Sequence, residues 1–268
     1  MTSNEHNKNA DRFKGFADVY ENARPSVPKR LISIVSTYLG HLPETVVDLG
    51  CGTGLSTMTW KNVCNNVVGI EPSEDMISVA RKKAAGNISF IKAFSDKTSL
   101  PDNFADAVIC SQSFHWMEPR STLAEVNRIL KNGGVFAAID CDWPPVVGLR
   151  AEKAYTGLFR KVRNIEDENK EINDTFHRWE KSGHLKNIED SGYFGYCREI
   201  VFENTEKCDT DRFINIAESQ GSLQTILKLK PELIEADYSE FCDIISDCFP
   251  KGGSDIGFCY RVRIGVKS

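Results

Sequence analysis

The sequence predicts an α/β fold in which helices cover a mostly parallel sheet. Between residues 45 and 140, short apolar runs alternate with amphipathic stretches, which is typical of parallel strands joined by helices. A glycine-rich turn directly follows the first run, where such sheets bind their ligands. Residues 258–266 alternate apolar with polar or small side chains, which indicates a further strand with one buried face.

Five apolar runs make up the predicted parallel core. Each is rich in β-branched residues and too short for a helix of ordinary length. The runs lie at residues 46–49, 67–70, 88–91, 107–110 and 135–139. Helices are predicted over 13–23, 27–39, 149–185, 209–229 and 231–249, and one more strand over 195–202.

Two helices between the core strands carry recognisable end signals. Ser73 can cap a helix with an acidic first turn, and Pro119 suits the first turn of another. Gly133 and Gly134 are expected to end the second helix. The side chains predicted to face the sheet are Met76, Ile77, Ala80, Leu123, Val126, Ile129 and Leu130.

The chain is predicted to form one compact domain with four parts. Residues 1–40 supply covering helices, and residues 41–141 form the ligand-binding core. Residues 142–194 read as a helical insertion, and residues 195–268 hold the last strands with a helical lid between them. The acidic run at 166–168 is expected to be a solvated surface.

Composition and charge argue against several classes of partner. Lysine and arginine total 33 against 38 acidic residues, and the formal net charge of −5 gives no global positive field for nucleic acid or anionic lipid. Residues 1–11 lack the apolar core of a signal peptide, and no stretch approaches the roughly 20 apolar residues of a membrane span. We therefore expect a cytoplasmic monomer or weak homodimer without nucleic-acid or membrane partners.

The nine cysteines and five histidines are dispersed along the chain. Because no two cysteines form a CxxC pair, free thiols in a reducing compartment are expected. The histidines show no spacing typical of zinc ligands. The sequence therefore predicts neither disulfides nor a metal site.

The glycine-rich turn at residues 48–54 is the strongest functional signal. Its glycines stand at 50, 52 and 54 and are followed by Leu55, so the GxGxxG spacing that cradles a dinucleotide pyrophosphate is absent. Glycine lets the backbone turn tightly and approach a ligand closely. The spacing thus favours a ligand without phosphate.

Glu71 stands at the end of the second predicted strand, 21 positions after Gly50. A carboxylate there can accept hydrogen bonds from both ribose hydroxyls of an adenosine. Dinucleotides and S-adenosylmethionine both contain such a ribose, so Glu71 alone does not choose between them.

Four stretches carry a resemblance to a known family. Residues 46–54, VVDLGCGTG, resemble motif I of the class I S-adenosylmethionine-dependent methyltransferases. Residues 100–108, 114–116 and 125–134 resemble the type 11 branch, which includes trans-aconitate-methyltransferase-like proteins. The resemblance implies a Rossmann-like, seven-stranded, mostly parallel sheet with a helical insertion or lid in the C-terminal half. It also implies S-adenosylmethionine as cofactor and a small-molecule acceptor.

The resemblance assigns expected roles around the glycine turn. Gly50, Cys51 and Gly52 would line the methionine and ribose portion of the cofactor. Glu71 would hold the ribose hydroxyls, and Pro72 would pack near the adenine.

Further roles are implied for residues outside the turn. Ser95 or Asp96 would read the adenine edge, and Ser111 would lie beneath the reactive end of the cofactor. Residues 20–25 resemble the amino-terminal signature of the branch, in which Arg24 would meet the carboxylate of the cofactor. The lid of the branch would stand near residues 219–220.

Methyl transfer by in-line displacement requires alignment of the acceptor and exclusion of water, without a metal or covalent intermediate. A hydroxyl or amine acceptor could lose its proton to His115 or Tyr20, whereas a carboxylate acceptor needs no base. Phe114 and Trp116 are candidate lining residues of the acceptor pocket, with core packing as their alternative.

Two alternatives from other classes remain open at this point. A nicotinamide-dependent oxidoreductase could also use Glu71 to hold a ribose. It would be expected to have the GxGxxG spacing, which is absent here. A non-catalytic S-adenosylmethionine-binding regulatory module would keep the turn and lack the reaction.

Overall fold

A seven-stranded sheet forms the centre of the protein. The computed structural model describes residues 24, 25, 27–173 and 177–268, with the backbone alone at positions 170 and 173. The strands are β1 (Thr45–Leu49), β2 (Asn66–Ile70), β3 (Ile88–Ile91), β4 (Ala105–Ser111), β5 (Leu130–Cys141), β6 (Phe194–Cys208) and β7 (Ser254–Lys267). Their order across the sheet is β3-β2-β1-β4-β5-β7-β6.

Helices cover both faces of this sheet. They are α1 (Arg30–Leu39), α2 (Leu55–Met58), α3 (Glu74–Arg81), α4 (Pro119–Ile129), α5 (Leu149–Glu168), α6 (Lys170–Asn173), α7 (His184–Asp190), α8 (Thr210–Glu218), α9 (Gly221–Leu229) and α10 (Glu235–Ser246). Short 3-10 turns occupy Phe114–Trp116, Lys181–Gly183 and Pro231–Leu233. Among the described helices, none combines the length and apolar character needed to cross a bilayer.

The pairing confirms the predicted mostly parallel α/β sheet. Strands β1 to β5 pair in parallel, whereas β7 runs antiparallel to both β5 and β6. Neighbouring residues of β1 point to opposite faces, with Val46 in one buried cluster and Val47 in the other. Burial on two faces explains why β1, β2, β4 and β5 read as apolar runs without alternation, whereas β3 exposes Ser89. All nine cysteines are free thiols.

The boundary between α4 and β5 differs from the prediction. The helix ends at Ile129, and Gly133 and Gly134 lie inside β5 instead of ending the helix. Gly133 has φ +75°, and a Cβ on Gly134 would lie 2.8 Å from the carbonyl oxygen of Lys131. These glycines therefore permit a tight bend at the start of the strand. Helix α1 also begins three residues later than predicted, at Arg30.

Strand β7 buries the predicted apolar face, and part of its polar face is buried as well. It lies between β5 and β6 and is longer than the alternation suggests. Arg263, which the alternation assigned to the polar face, is only 4% exposed. Arg263 is covered where it pairs with Asp140 and Glu199, whereas the side chain of Arg261, on the same face, is 40% exposed.

Candidate active site

A cavity of about 800 Å³ opens at the carboxyl ends of the parallel strands. Its lining comes from the β1 turn, the end of β2, the segments after β3 and β4, and the helix α5. This edge is where open α/β sheets bind their ligands. Size and position make the cavity the candidate site for a cofactor together with a second molecule.

Glu71 organises the glycine turn from the end of β2. Its Oε2 accepts a hydrogen bond from the Gly52 N–H at 3.0 Å, and its Oε1 accepts one from the Ser73 N–H at 2.8 Å. The N–H groups of Gly50 and Cys51 donate to the Ile70 carbonyl oxygen. The carboxylate is 7% exposed and lines the cavity. It therefore faces the ligand space with lone pairs left to accept hydroxyl hydrogens.

Asp48, at the start of the same turn, holds it through hydrogen bonds to two hydroxyl groups. Its Oδ2 accepts hydrogen bonds from Ser56 Oγ at 2.6 Å and Thr57 Oγ1 at 2.7 Å. Burial raises the pKa of Asp48 to about 6, although these two hydroxyls lower it. The carboxylate is fully buried and ties the start of α2 to β1. Asp48 is thus a positioning residue for the turn.

Cofactor affinity is expected to rise between about pH 6 and about pH 8. Burial raises the pKa of Glu71 to about 7, partly offset by the Ser73 and Gly52 N–H groups. Ribose hydroxyls favour the ionised carboxylate, so binding at low pH expels a proton and weakens by up to about tenfold per pH unit. Calorimetric titration with S-adenosylhomocysteine measures this slope. Glu71→Gln should flatten it, and an unchanged slope in that variant would rule out Glu71 as its source.

Gly50 and Gly52 differ in what surrounds them, although both have positive φ, +67° and +56°. A Cβ on Gly50 would lie 2.7 Å from Met117 Cε and from Ser113 Cβ, whereas a Cβ on Gly52 would meet nothing within 4 Å. The turn is therefore packed beneath Gly50 and open at Gly52. That open space fits a ligand held close to the backbone.

The two glycines are expected to respond differently to alanine. Gly50→Ala should lower the free energy of unfolding by about 2–5 kcal/mol, because left-handed strain adds to overpacking. Gly52→Ala should lower the free energy of unfolding by only about 1–2 kcal/mol, because left-handed strain is then the single cost. Urea unfolding of both variants measures the difference, and equal losses would contradict the packing beneath Gly50.

Four further residues predicted to bind the cofactor lie on the cavity wall. Cys51, Pro72, Ser95 and Ser111 all line the cavity. Asp96 does not lie among the lining residues, so between Ser95 and Asp96 the structure brings Ser95 to the site. The Ser95 hydroxyl lies 3.0 Å from Thr122 Oγ1, which fixes it on the cavity wall.

Arg24 lines the cavity and contacts residues 219 and 220, where the resemblance predicts a lid. Its Nη2 donates to the Ser219 carbonyl oxygen at 2.9 Å, and its guanidinium lies 5.3 Å from the centre of the Trp143 ring. Gln220 also lines the cavity, as expected for a lid residue. Tyr20, the second candidate base, lies outside the described residues.

The turn Phe114–Trp116 divides its side chains between core and cavity. His115 and Trp116 line the cavity. Phe114 is 1% exposed and packs edge-on against Phe136, with ring centres 5.4 Å apart. The assignment of Phe114 to the acceptor pocket is therefore wrong, because its ring fills the core beneath the turn.

His115 is a buried neutral imidazole at ordinary pH. Burial lowers its pKa well below the usual range, and the charges of Lys181, His184, Arg178 and Arg24 lower it further. Its Nδ1 has no hydrogen-bond partner among the described residues. A neutral ring can accept a proton, but the lowered pKa makes it a weak base.

A buried charged cluster beside His115 was not predicted from the sequence. Asp140, at the end of β5, accepts hydrogen bonds from Arg263 Nη1 at 2.8 Å and lies 2.8 Å from Lys181 Nζ. His184 Nε2 lies 3.8 Å from the same carboxylate. Burial lowers the pKa of His184 to about 4, so this ring is neutral as well. The available signal was Arg263, a charged residue with the apolar neighbours Val262 and Ile264.

His115, Asp140 and His184 also have the proximity of metal ligands. Their potential ligand atoms lie within 4.8 Å of one another. Lys181 and Arg263 already neutralise the Asp140 carboxylate, however, and their positive charges would repel a divalent cation. The arrangement is therefore explained by ion pairing without a metal.

Glu166 lines the cavity at the far end of α5. It is only 6% exposed, so its assignment to a solvated acidic surface is wrong. Asp167 and Glu168 are exposed, as predicted for that run. The difference arises because Glu166 lies on the face of α5 that packs toward the cavity.

Comparison with known proteins agrees with this geometry. Residues 47–138 match a family described as a methyltransferase domain. Together with the sheet and the glycine turn, the match defines this part of the chain as a class I S-adenosylmethionine-dependent methyltransferase domain. The trans-aconitate-like subgroup stays a prediction.

Individual relatives share the domain but not the whole length. The chain is 33% identical over 124 residues to a candidate S-adenosylmethionine-dependent methyltransferase of Saccharomyces cerevisiae, covering 44% of this chain and 43% of the relative. It is 37% identical over 108 residues to a demethylmenaquinone methyltransferase of Clavibacter sepedonicus, covering 38% and 43%. The chain thus spans about half the length of the curated relatives it matches.

A solved structure supports the fold over a larger span. The chain superposes on a candidate type II methyltransferase of Anaeromyxobacter dehalogenans with a TM-score of 0.65. The superposition covers 91% of this chain and 97% of the other, at 17% sequence identity. At that identity the similarity shows the fold alone.

Proposed function

We propose that this protein transfers the methyl group of S-adenosylmethionine to a small-molecule acceptor by direct in-line displacement. The observation that carries the proposal is that one cavity is lined both by the predicted cofactor residues and by a further set of side chains. The glycine turn and Glu71 line the part proposed for the cofactor, and Trp116, Trp143 and α5 line the part proposed for the acceptor, which we call the acceptor half. A cofactor and an acceptor can therefore meet in one enclosed space.

The residues present fit the cofactor. Gly52 leaves open space above the turn, and Glu71 offers a carboxylate to a ribose. Arg24 lines the same cavity beside Trp143, where its guanidinium can hold a carboxylate. When bound, S-adenosylmethionine supplies a methyl group on a positively charged sulfur.

The remaining tasks fall to the residues of this chain. The turn and Glu71 orient the cofactor, and the aromatic wall at Trp116 and Trp143 excludes water. His115, which lines the cavity, is the proposed acceptor of the proton from a hydroxyl or amine substrate, and a carboxylate acceptor needs no such step. Because His115 is a weak base, an acceptor with an easily lost proton suits the site best. O-, N- and carboxyl-methylation all remain compatible with this machinery.

Labelled S-adenosylmethionine tests the proposal directly. The protein is incubated with the labelled cofactor and a total extract separated into small-molecule, protein and nucleic-acid fractions. We expect enzyme-dependent label in the small-molecule fraction only. Label in the protein or nucleic-acid fraction, or S-adenosylhomocysteine binding without transfer to any fraction, would contradict the proposal.

A further inference from the structure

One face of helix α5 forms a continuous wall of the acceptor half of the cavity. Tyr155, Phe159, Val162 and Glu166 all line the cavity, and their spacings of four, three and four residues place them on one side of the helix. At 1.5 Å per residue, the wall is about 16 Å long. Three of its members are apolar or aromatic, and the last is a carboxylate.

The first end of this wall lies on the cofactor side. Tyr155 lies close enough to Arg24 and Cys141 for their charges to act on its hydroxyl. Its ring stacks on Phe159, with centres 4.4 Å apart. Glu166 therefore stands about three helical turns away from Tyr155, the end of the wall that lies near Arg24, the residue proposed to hold the carboxylate of the cofactor.

Glu166 is the uncompensated group on this wall. It is 6% exposed, and its Oε1 has no hydrogen-bond partner among the described residues. The exposed acids that follow it, Asp167 and Glu168, can be solvated and need no partner. A buried carboxylate without a partner is costly, so its place on a cavity wall points to a ligand that supplies one.

Cations that line the cavity are engaged elsewhere or exposed. Lys181 pairs with Asp140 at 2.8 Å, and Arg261 pairs with Asp142 at 2.9 Å. Arg163, one turn before Glu166, is exposed to solvent. In the part of the chain that the structure describes, none of these cations forms an ion pair with Glu166.

We infer that the acceptor is an amphipathic amine. Its protonated amine binds Glu166, its apolar body lies along Tyr155, Phe159 and Val162, and the atom to be methylated lies at the other end. This inference rests on the proposed function and names the substrate class for the same site. It also explains why a buried carboxylate follows Tyr155, Phe159 and Val162 on the same side of the helix.

Two probes that differ in charge test the inference. The protein is first saturated with S-adenosylhomocysteine and then titrated with phenylbutylammonium or with phenylpentanoate, which carry the same ring and tether. We expect the ammonium probe to bind about tenfold or more tightly than the carboxylate, as befits a charged hydrogen bond. Glu166→Gln should remove this preference, and Glu168→Gln, a matched change at an exposed site, should keep it.

The outcomes separate the two proposals. Equal binding of the probes, tighter binding of the carboxylate, or an unchanged preference in Glu166→Gln would overturn the amine assignment while S-adenosylhomocysteine still binds. Failure of S-adenosylhomocysteine to bind would overturn the proposed function, and the inference with it. Circular dichroism and unfolding of Glu166→Gln verify that the variant is folded before it is titrated.

Discussion

Glu71→Ala is expected to weaken S-adenosylhomocysteine binding by about 1.5–3 kcal/mol, or roughly 10–150-fold. The change removes the carboxylate that faces the ligand space, and it also leaves the Gly52 and Ser73 N–H groups without their acceptor. Isothermal titration calorimetry measures the loss. The fold should survive, because the carboxylate is buried at a cost and contributes little apolar packing.

Glu74→Ala provides the matched control. Glu74 stands three residues later, at the start of α3, and its side chain is 60% exposed in a surface pair with Lys92. Its removal should leave affinity unchanged. If Glu71→Ala and Glu74→Ala bind equally well, the ribose contact lies elsewhere.

Arg263→Met is expected to cost about 3–5 kcal/mol of folding stability. Arg263 is 4% exposed and donates to Asp140 and to Glu199, at 2.8 Å each. Methionine preserves much of the volume but leaves the buried Asp140 carboxylate with one cation fewer. Urea unfolding at neutral pH measures the effect.

Arg261→Met is the control that removes the same charge from a more exposed position. Arg261 lies on the same strand and also pairs with Glu199, but its side chain is 40% exposed. Its removal should cost at most about 1 kcal/mol, because solvent screens the pair. Similar losses in the two variants would contradict the special role given to Arg263.

The parallel core could be predicted from the sequence because its signals are local. The runs in β1, β2, β4 and β5 are buried on both faces, so each appears as an apolar run wherever it stands in the chain, whereas β3 exposes Ser89. The glycine turn and Glu71 are equally local, since they follow directly from β1 and β2. Gly133 and Gly134 misled the prediction because glycine permits a bend as readily as it ends a helix.

The buried charged cluster beside His115 could not be predicted in the same way. Arg263 and Asp140 are 123 residues apart and meet only because β7 inserts beside β5. Alternation alone assigned Arg263 to a solvated face, since it carries no information about which face another element covers. Phe114 was misassigned for a similar reason, because neighbours in one short turn can point to core or cavity.

For Glu166, the sequence contained a signal of burial, its helical spacing, but the neighbouring acidic residues favoured a solvated surface. Two further acids follow it, which suggested a solvated run. Its spacing from Tyr155, Phe159 and Val162 places it on their side of the helix. Helical position, and not local charge density, decides its environment.

Binding of S-adenosylhomocysteine, compared with NAD by titration calorimetry, tests the central claim most directly. The glycine turn, Glu71 and the open space above Gly52 predict one S-adenosylhomocysteine site per chain and no measurable binding of NAD. NAD binding without S-adenosylhomocysteine binding would contradict the account and support a nicotinamide-dependent enzyme instead.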